Sequence, residues 1–209
     1  MPKGTKVKGG RRALFAEATR AALVEAATEL FVERGFAGTA LAEVAARADA
    51  SRGAVYHHFE DKTALFEAVM ERQGEQAVER IAGAAAGAQD PWGAALVALD
   101  AFLEHCSDRT YATIVWKEGP AALGWQRWRE TEHRYGFGLT RELVRTLMAE
   151  GYVDEAPLEP LTRIVFAMIG EAGMQVAEAP TKKQQDQARA ESGELLRRIL
   201  EGIRVRPKD

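Results

Sequence analysis

The run Ser51-Arg52-Gly53-Ala54-Val55-Tyr56-His57-His58-Phe59, followed shortly by Lys62, gathers most kinds of hydrogen-bonding side chain into one short stretch. A hydroxyl, a guanidinium, a phenol, two imidazoles and an ammonium lie beside two small residues. Such groups serve recognition of charged and polar surfaces. The fork of Arg52 matches two adjacent acceptors, and Tyr56 and Lys62 are donors suited to an anionic oxygen. Ser51 stands where an N-cap belongs, so the stretch opens a short helix that ends near His58. Free N–H groups at its amino end, beside Ser51 and Arg52, favour phosphate.

The elements that position this helix follow from spacing. Leu23, Ala27, Leu30 and Phe31 recur at helical intervals and predict a helix from about Leu14 to Arg34, stopped by Gly35 as a left-handed cap. Thr39 is the expected N-cap of a short helix carrying Leu41, Val44 and Ala45, which ends near Arg47. Ala48-Asp49-Ala50 then forms the turn into the helix that begins at Ser51. Asp61 caps a longer helix with Leu65, Phe66, Val69 and Met70. Two short helices joined by a tight turn make a helix-turn-helix, whose second member lies in the major groove of duplex DNA. Gly53 and Ala54 are then small so that this helix can approach the duplex closely.

The run Leu30-Phe31-Val32-Glu33-Arg34-Gly35-Phe36, with Thr39, Val44-Ala45, the segment Ser51 to Phe59, and Lys62, resembles the TetR (tetracycline-repressor) family of bacterial regulators. Asp49 and Ala50 depart from the family's usual Ala-Gly-Val turn. The resemblance implies an all-α chain of about nine or ten helices, with a three-helix helix-turn-helix head and a larger helical-bundle domain for ligand binding and dimerisation. It implies operator binding by a dimer. Thr39, Tyr56 and Lys62 would then contact phosphates, with Ser51 and His57 near the backbone. Arg52 would read a guanine through O6 and N7, and Gly53 and Ala54 would give clearance or meet a thymine methyl. The expected division is a flexible basic arm over 1–12, the DNA-binding head over 13–62, and the larger domain over 63–209.

In the larger part, Pro91 suits the first turn of a new helix. Helices are expected over 91–106, 107–117, 120–135, 138–150, 158–178 and 183–204. Leu161, Ile164, Val165, Met168, Ile169 and Ala172 form one apolar stripe, and Leu195, Leu196, Ile199, Leu200 and Ile203 another. Two such helices per subunit would build a four-helix interface across a two-fold axis. Ile169, Gly173, Leu196, Ile199 and Leu200 are the expected dimer contacts. Phe102, Tyr111, Trp116, Trp125 and Trp128 are the candidate wall of a pocket for a small apolar or aromatic effector. Effector binding would release the operator.

Net charge is −3, so bulk charge does not mark a polyanion binder; residues 1–12, however, hold Lys3, Lys6, Lys8, Arg11 and Arg12 and no acid. Cys106 is the only cysteine, which fits a reducing compartment. With neither a signal peptide nor a membrane segment evident, a cytoplasmic location without membrane partners is expected. No cofactor or metal is expected, and no enzymatic role. Two alternatives remain: a constitutive dimeric DNA-binding protein without a ligand, and a metal- or thiol-dependent enzyme using His105, Cys106 and His133. The last matches no standard zinc spacing.

Overall fold

The computed structural model describes residues 6–205, with side chains from Ala13 onward. The described chain is helical: α1 (Lys6–Arg34), α2 (Leu41–Arg47), α3 (Arg52–His58), α4 (Lys62–Ala85), α5 (Pro91–His105), α6 (Arg109–Tyr111), a π-helical segment (Ala112–Glu118), α7 (Gly119–Leu123), α8 (Trp125–Ala149), α9 (Leu158–Glu178) and α10 (Lys182–Ile203). An isolated bridge pairs Val153 with Arg204. The chain divides into two compact units between Met70 and Glu71, inside α4. That point lies beyond residue 62 because Leu65, Phe66 and Val69 are buried with the head residues.

The first unit is built on one apolar cluster. Leu23, Ala27, Leu30 and Phe31 of α1, Val44 and Ala45 of α2, Val55 of α3, Phe59, and Leu65, Phe66 and Val69 of α4 are all buried. Phe31, Phe36 and Phe66 meet as a ring cluster with centroids 5.1–5.8 Å apart. Each such side chain stabilises the fold by about 1.5–3 kcal/mol on burial. Gly35 stops α1 with φ 74°, as expected. The start of α1 differs from expectation. The helix begins at Lys6 rather than near Leu14. Of the expected flexible arm, residues 1–5 lie outside the described residues, while residues 6–12 continue α1. Lysine and arginine sustain helix, and the long helix behind them removes the cost of nucleation.

In the second unit α8 packs on α9 and α9 on α10, with α5 against all three. Pro91 stands at the first position of α5, and the Asp90 carboxylate caps it from Gly93 N–H at 2.9 Å. The expected break between 135 and 138 is absent, because α8 runs unbroken through Gly136 and Gly138. Gly136 serves packing: a Cβ there would come within 2.9 Å of the Phe166 ring. The real break is Gly124, with φ 76°. The stretch expected as one helix over 107–117 is instead a turn of α6 followed by the wider π-helical segment.

Candidate nucleic-acid interface and ligand site

Local chemistry sets the turn between α2 and α3. Ala50 N–H donates to the Ala45 carbonyl at 2.9 Å, and Asp49 N–H to the Ala46 carbonyl at 3.3 Å. These are the paired bonds of a Schellman cap. Its left-handed position falls on Asp49, at φ 50°. Aspartate tolerates that conformation better than most side chains, at a cost glycine does not bear. Ser51 then caps α3, its hydroxyl oxygen accepting from Ala54 N–H at 3.1 Å.

On α3 the buried and exposed faces separate cleanly. Val55 and the following Phe59 are buried, while Ser51, Arg52, Gly53, Tyr56 and His57 are exposed and Ala54 is partly so. Tyr56 is 63% exposed, a large aromatic presented mostly to solvent. A Cβ on Gly53 would meet only the Ser51 hydroxyl, at 3.8 Å. Nothing among the described residues therefore requires glycine there. His58 is half-buried against Phe59 and His57, and burial lowers its basicity.

Two expected phosphate contacts occupy different positions. Thr39 is not the N-cap of α2; Ala40 is. The Glu43 carboxylate accepts from Ala40 N–H at 3.0 Å and satisfies the helix start that a threonine hydroxyl was expected to serve. Thr39 is only 2% exposed, and its hydroxyl donates inward, to the Gly35 carbonyl at 2.9 Å with the Leu30 carbonyl at 3.2 Å. Its side chain is thus a tie between α1 and α2 and is withdrawn from the surface. Lys62 is half-buried. Its ammonium donates to the Phe36 carbonyl at 2.7 Å and the Thr39 carbonyl at 3.1 Å, and lies over the Phe36 ring. The ammonium thereby clamps the α1–α2 loop to the start of α4, and two of its three protons are engaged there.

The five aromatics expected to wall a pocket divide. Tyr111, Trp116 and Trp128 are buried and Phe102 partly so. Trp116 and Trp128 lie edge to face at 5.9 Å, and Trp128 N–H donates to the Val115 carbonyl at 2.7 Å. Trp125 is 59% exposed, with Arg129 over its ring, so it forms an outer flank. A groove of about 360 Å³ lies elsewhere in this unit, between the Ala88–Ala94 stretch and Leu139, Glu142, Leu143 and Thr146 of α8. It touches none of the five. Residue spacing missed Glu132, whose carboxyl is raised to about 7 by burial, against the lowering effect of Arg129. Its place one helical turn after Trp128 was the available signal.

The expected dimer contacts also divide. Gly173 is buried within its own chain: a Cβ would come within 2.8 Å of Phe102 and 2.9 Å of the Cys106 sulfur. Leu196 is buried as well, and Ile169 and Leu200 partly so. Gly173 and Leu196 are therefore core residues rather than open contacts. Ile199 remains exposed, with Ile164, Leu195 and Ile203. His105 packs on Tyr111 at 4.4 Å and His133 stacks on Phe137 at 3.9 Å, so the two imidazoles have separate aromatic partners. Burial pushes the Cys106 thiol up, far from a reactive thiolate.

Comparison with known proteins accords with this geometry. Residues 23–69 match the domain family described as bacterial regulatory proteins, tetR family, and residues 92–203 match the tetracyclin repressor-like C-terminal domain. A solved TetR-family transcriptional regulator from Pectobacterium atrosepticum is 30% identical, with a TM-score of 0.81 over 93% of this chain and 98% of that one. The transcriptional repressor BepR of Brucella suis is 44% identical over 26% of this chain and 26% of its own length. The regulator TtgR of Pseudomonas putida is 45% identical over 27% of each. The chain thus matches about a quarter of the length of these curated relatives. Among the described residues no helix is long and apolar enough to cross a membrane. The chain belongs to the TetR family of DNA-binding transcriptional regulators, which are typically repressors.

Proposed function

We propose that this chain is a dimeric, effector-responsive repressor that reads its operator with α3. The observation that carries the reading is the outer face of α3. Tyr56 is a largely exposed phenol, and Gly53 leaves open space that the fold itself does not need. Both fit a surface that takes a duplex. In this reading Tyr56, Ser51 and His57 meet the backbone, Arg52 reads a guanine, and Gly53 and Ala54 bring the helix close. Thr39 and Lys62 hold the helices in register, and any phosphate contact there comes from the remaining Lys62 proton. The exposed apolar residues Ile164, Leu195, Ile199 and Ile203 supply the two-fold contact. An effector among the aromatics of the second unit shifts the population of heads away from the spacing that fits two half-sites.

Binding of Arg52→Ala to matched and scrambled operators tests the reading. Loss of about 1–3 kcal/mol on the matched site, with little change on the scrambled one, is expected. Equal loss on both removes Arg52 from base reading.

A further inference from the structure

The second unit buries polar groups that its own fold leaves unpaired. Trp116 is more than nine-tenths buried and its indole N–H meets no oxygen or nitrogen acceptor, only the Cys106 sulfur, whereas the neighbouring Trp128 N–H is satisfied by Val115. His105 is also more than nine-tenths buried, and neither ring nitrogen has a partner. Buried groups of this kind are rare in folded proteins and call for a reason. Trp116 sits on the π-helical segment, a distortion that recurs at functional sites. The Cys106 sulfur faces it but is a weak acceptor. A Cβ on Gly170 would meet the Glu132 carboxylate at 3.6 Å, and one on Gly173, about a turn further along α9, would meet Phe102 and the Cys106 sulfur, so the carboxyl borders the same cluster.

The chemistry of these groups restricts what would satisfy them. The Trp116 N–H needs an acceptor, which a simple cation lacks. An anion would face Glu132, beside a His105 imidazole that burial makes harder to protonate. A hydrocarbon would leave the orphaned donor as it is. A neutral hydroxyl meets both demands, because its oxygen accepts and its proton donates. The surrounding Phe102, Tyr111, Trp116 and Trp128 favour an aromatic ring beside it. Resting on the effector-responsive reading above, we propose that the effector is a small, uncharged, hydroxylated aromatic. Its oxygen takes the Trp116 N–H and its O–H is given to the Glu132 carboxyl. His105, tilted against the Tyr111 ring, offers a second donor or acceptor to a further oxygen.

The test uses the full chain with four matched probes: 1-naphthol, naphthalene, 1-naphthoate and 1-naphthylmethylammonium. Binding is read by calorimetry, and operator release by anisotropy of a labelled duplex. The naphthol is expected to bind and to release the operator, with the other three roughly tenfold weaker or worse. Trp116→Phe and Glu132→Gln should each weaken naphthol about tenfold while leaving the naphthalene affinity unchanged, a split that general loss of packing would not produce. Should Trp116→Phe lose its helical circular dichroism, Glu132→Gln carries the same comparison. Equal or tighter binding of the naphthoate, the ammonium or the hydrocarbon overturns the ligand class while leaving effector response intact. Absence of binding by all four overturns it too. Operator binding by the same preparation separates that result from failure of the DNA reading.

Discussion

Gly53 is the residue at which stability and recognition pull apart. Its site is open, so alanine fits the folded chain without displacing anything. Helix propensity favours alanine there by up to about 1 kcal/mol. Gly53→Ala should therefore raise or preserve the melting temperature while weakening operator binding roughly tenfold, through lost clearance against the duplex. Paired melting and titration curves check this, and unchanged affinity would show that the α3 face is not pressed against a partner. Glu132 offers a second residue-level prediction. Its carboxyl titrates at about 7 in the folded chain against an ordinary 4.5. The folded state then binds more protons than the unfolded chain between those values, so stability falls as pH rises through that window and levels above it. Glu132→Gln should remove this slope and be more stable than the parent at pH 8, by roughly 1–3 kcal/mol. Denaturant curves at pH 5 and 8 measure it.

At the scale of elements, the α2–α3 turn is held by a Schellman cap whose left-handed position is an aspartate. Asp49→Gly should raise stability by about 1 kcal/mol through relief of that backbone cost. A shift of the denaturation midpoint at constant m-value checks it. The same elements show where residue spacing carries information. The order α1 to α4, the Ser51 cap and the burial of Leu30, Phe31, Val44 and Phe66 were legible because they rest on local periodicity and on caps that depend on neighbours in sequence. Thr39 was misread because two chemistries compete for the start of α2, and Glu43 reaching back to Ala40 takes the role. The Lys62 clamp depends on carbonyls 23 and 26 positions away, beyond the reach of local pattern. Gly136 looked like a helix break, yet its small size answers a tertiary demand from Phe166. The π-helical segment has no residue signature of its own, and the same holds for the orphaned Trp116 donor that it carries.

For the whole molecule, the proposed function needs two heads on one duplex. Stripes on α9 and α10 were readable from spacing, but which members face outward was not, since each stripe also serves the core of its own chain. Leu195 and Ile199 are exposed where Leu196 is buried. The double variant Leu195→Glu, Ile199→Glu should keep its helical content and sediment as a monomer. It should also lose most of its operator affinity, because linkage of two half-site contacts disappears. Retention of a dimer would move the interface elsewhere. The central claim, that α3 enters a groove of operator DNA, is tested most directly by selecting duplexes from a random pool with the purified chain and footprinting the enriched sites. The account predicts a two-fold symmetric sequence, with half-sites about one helical turn or a multiple apart. It also predicts that Arg52→Ala relaxes a single guanine position in each half. Absence of any enriched duplex at low salt, or enrichment left intact when Arg52, Tyr56 and His57 are all replaced by alanine, would contradict it.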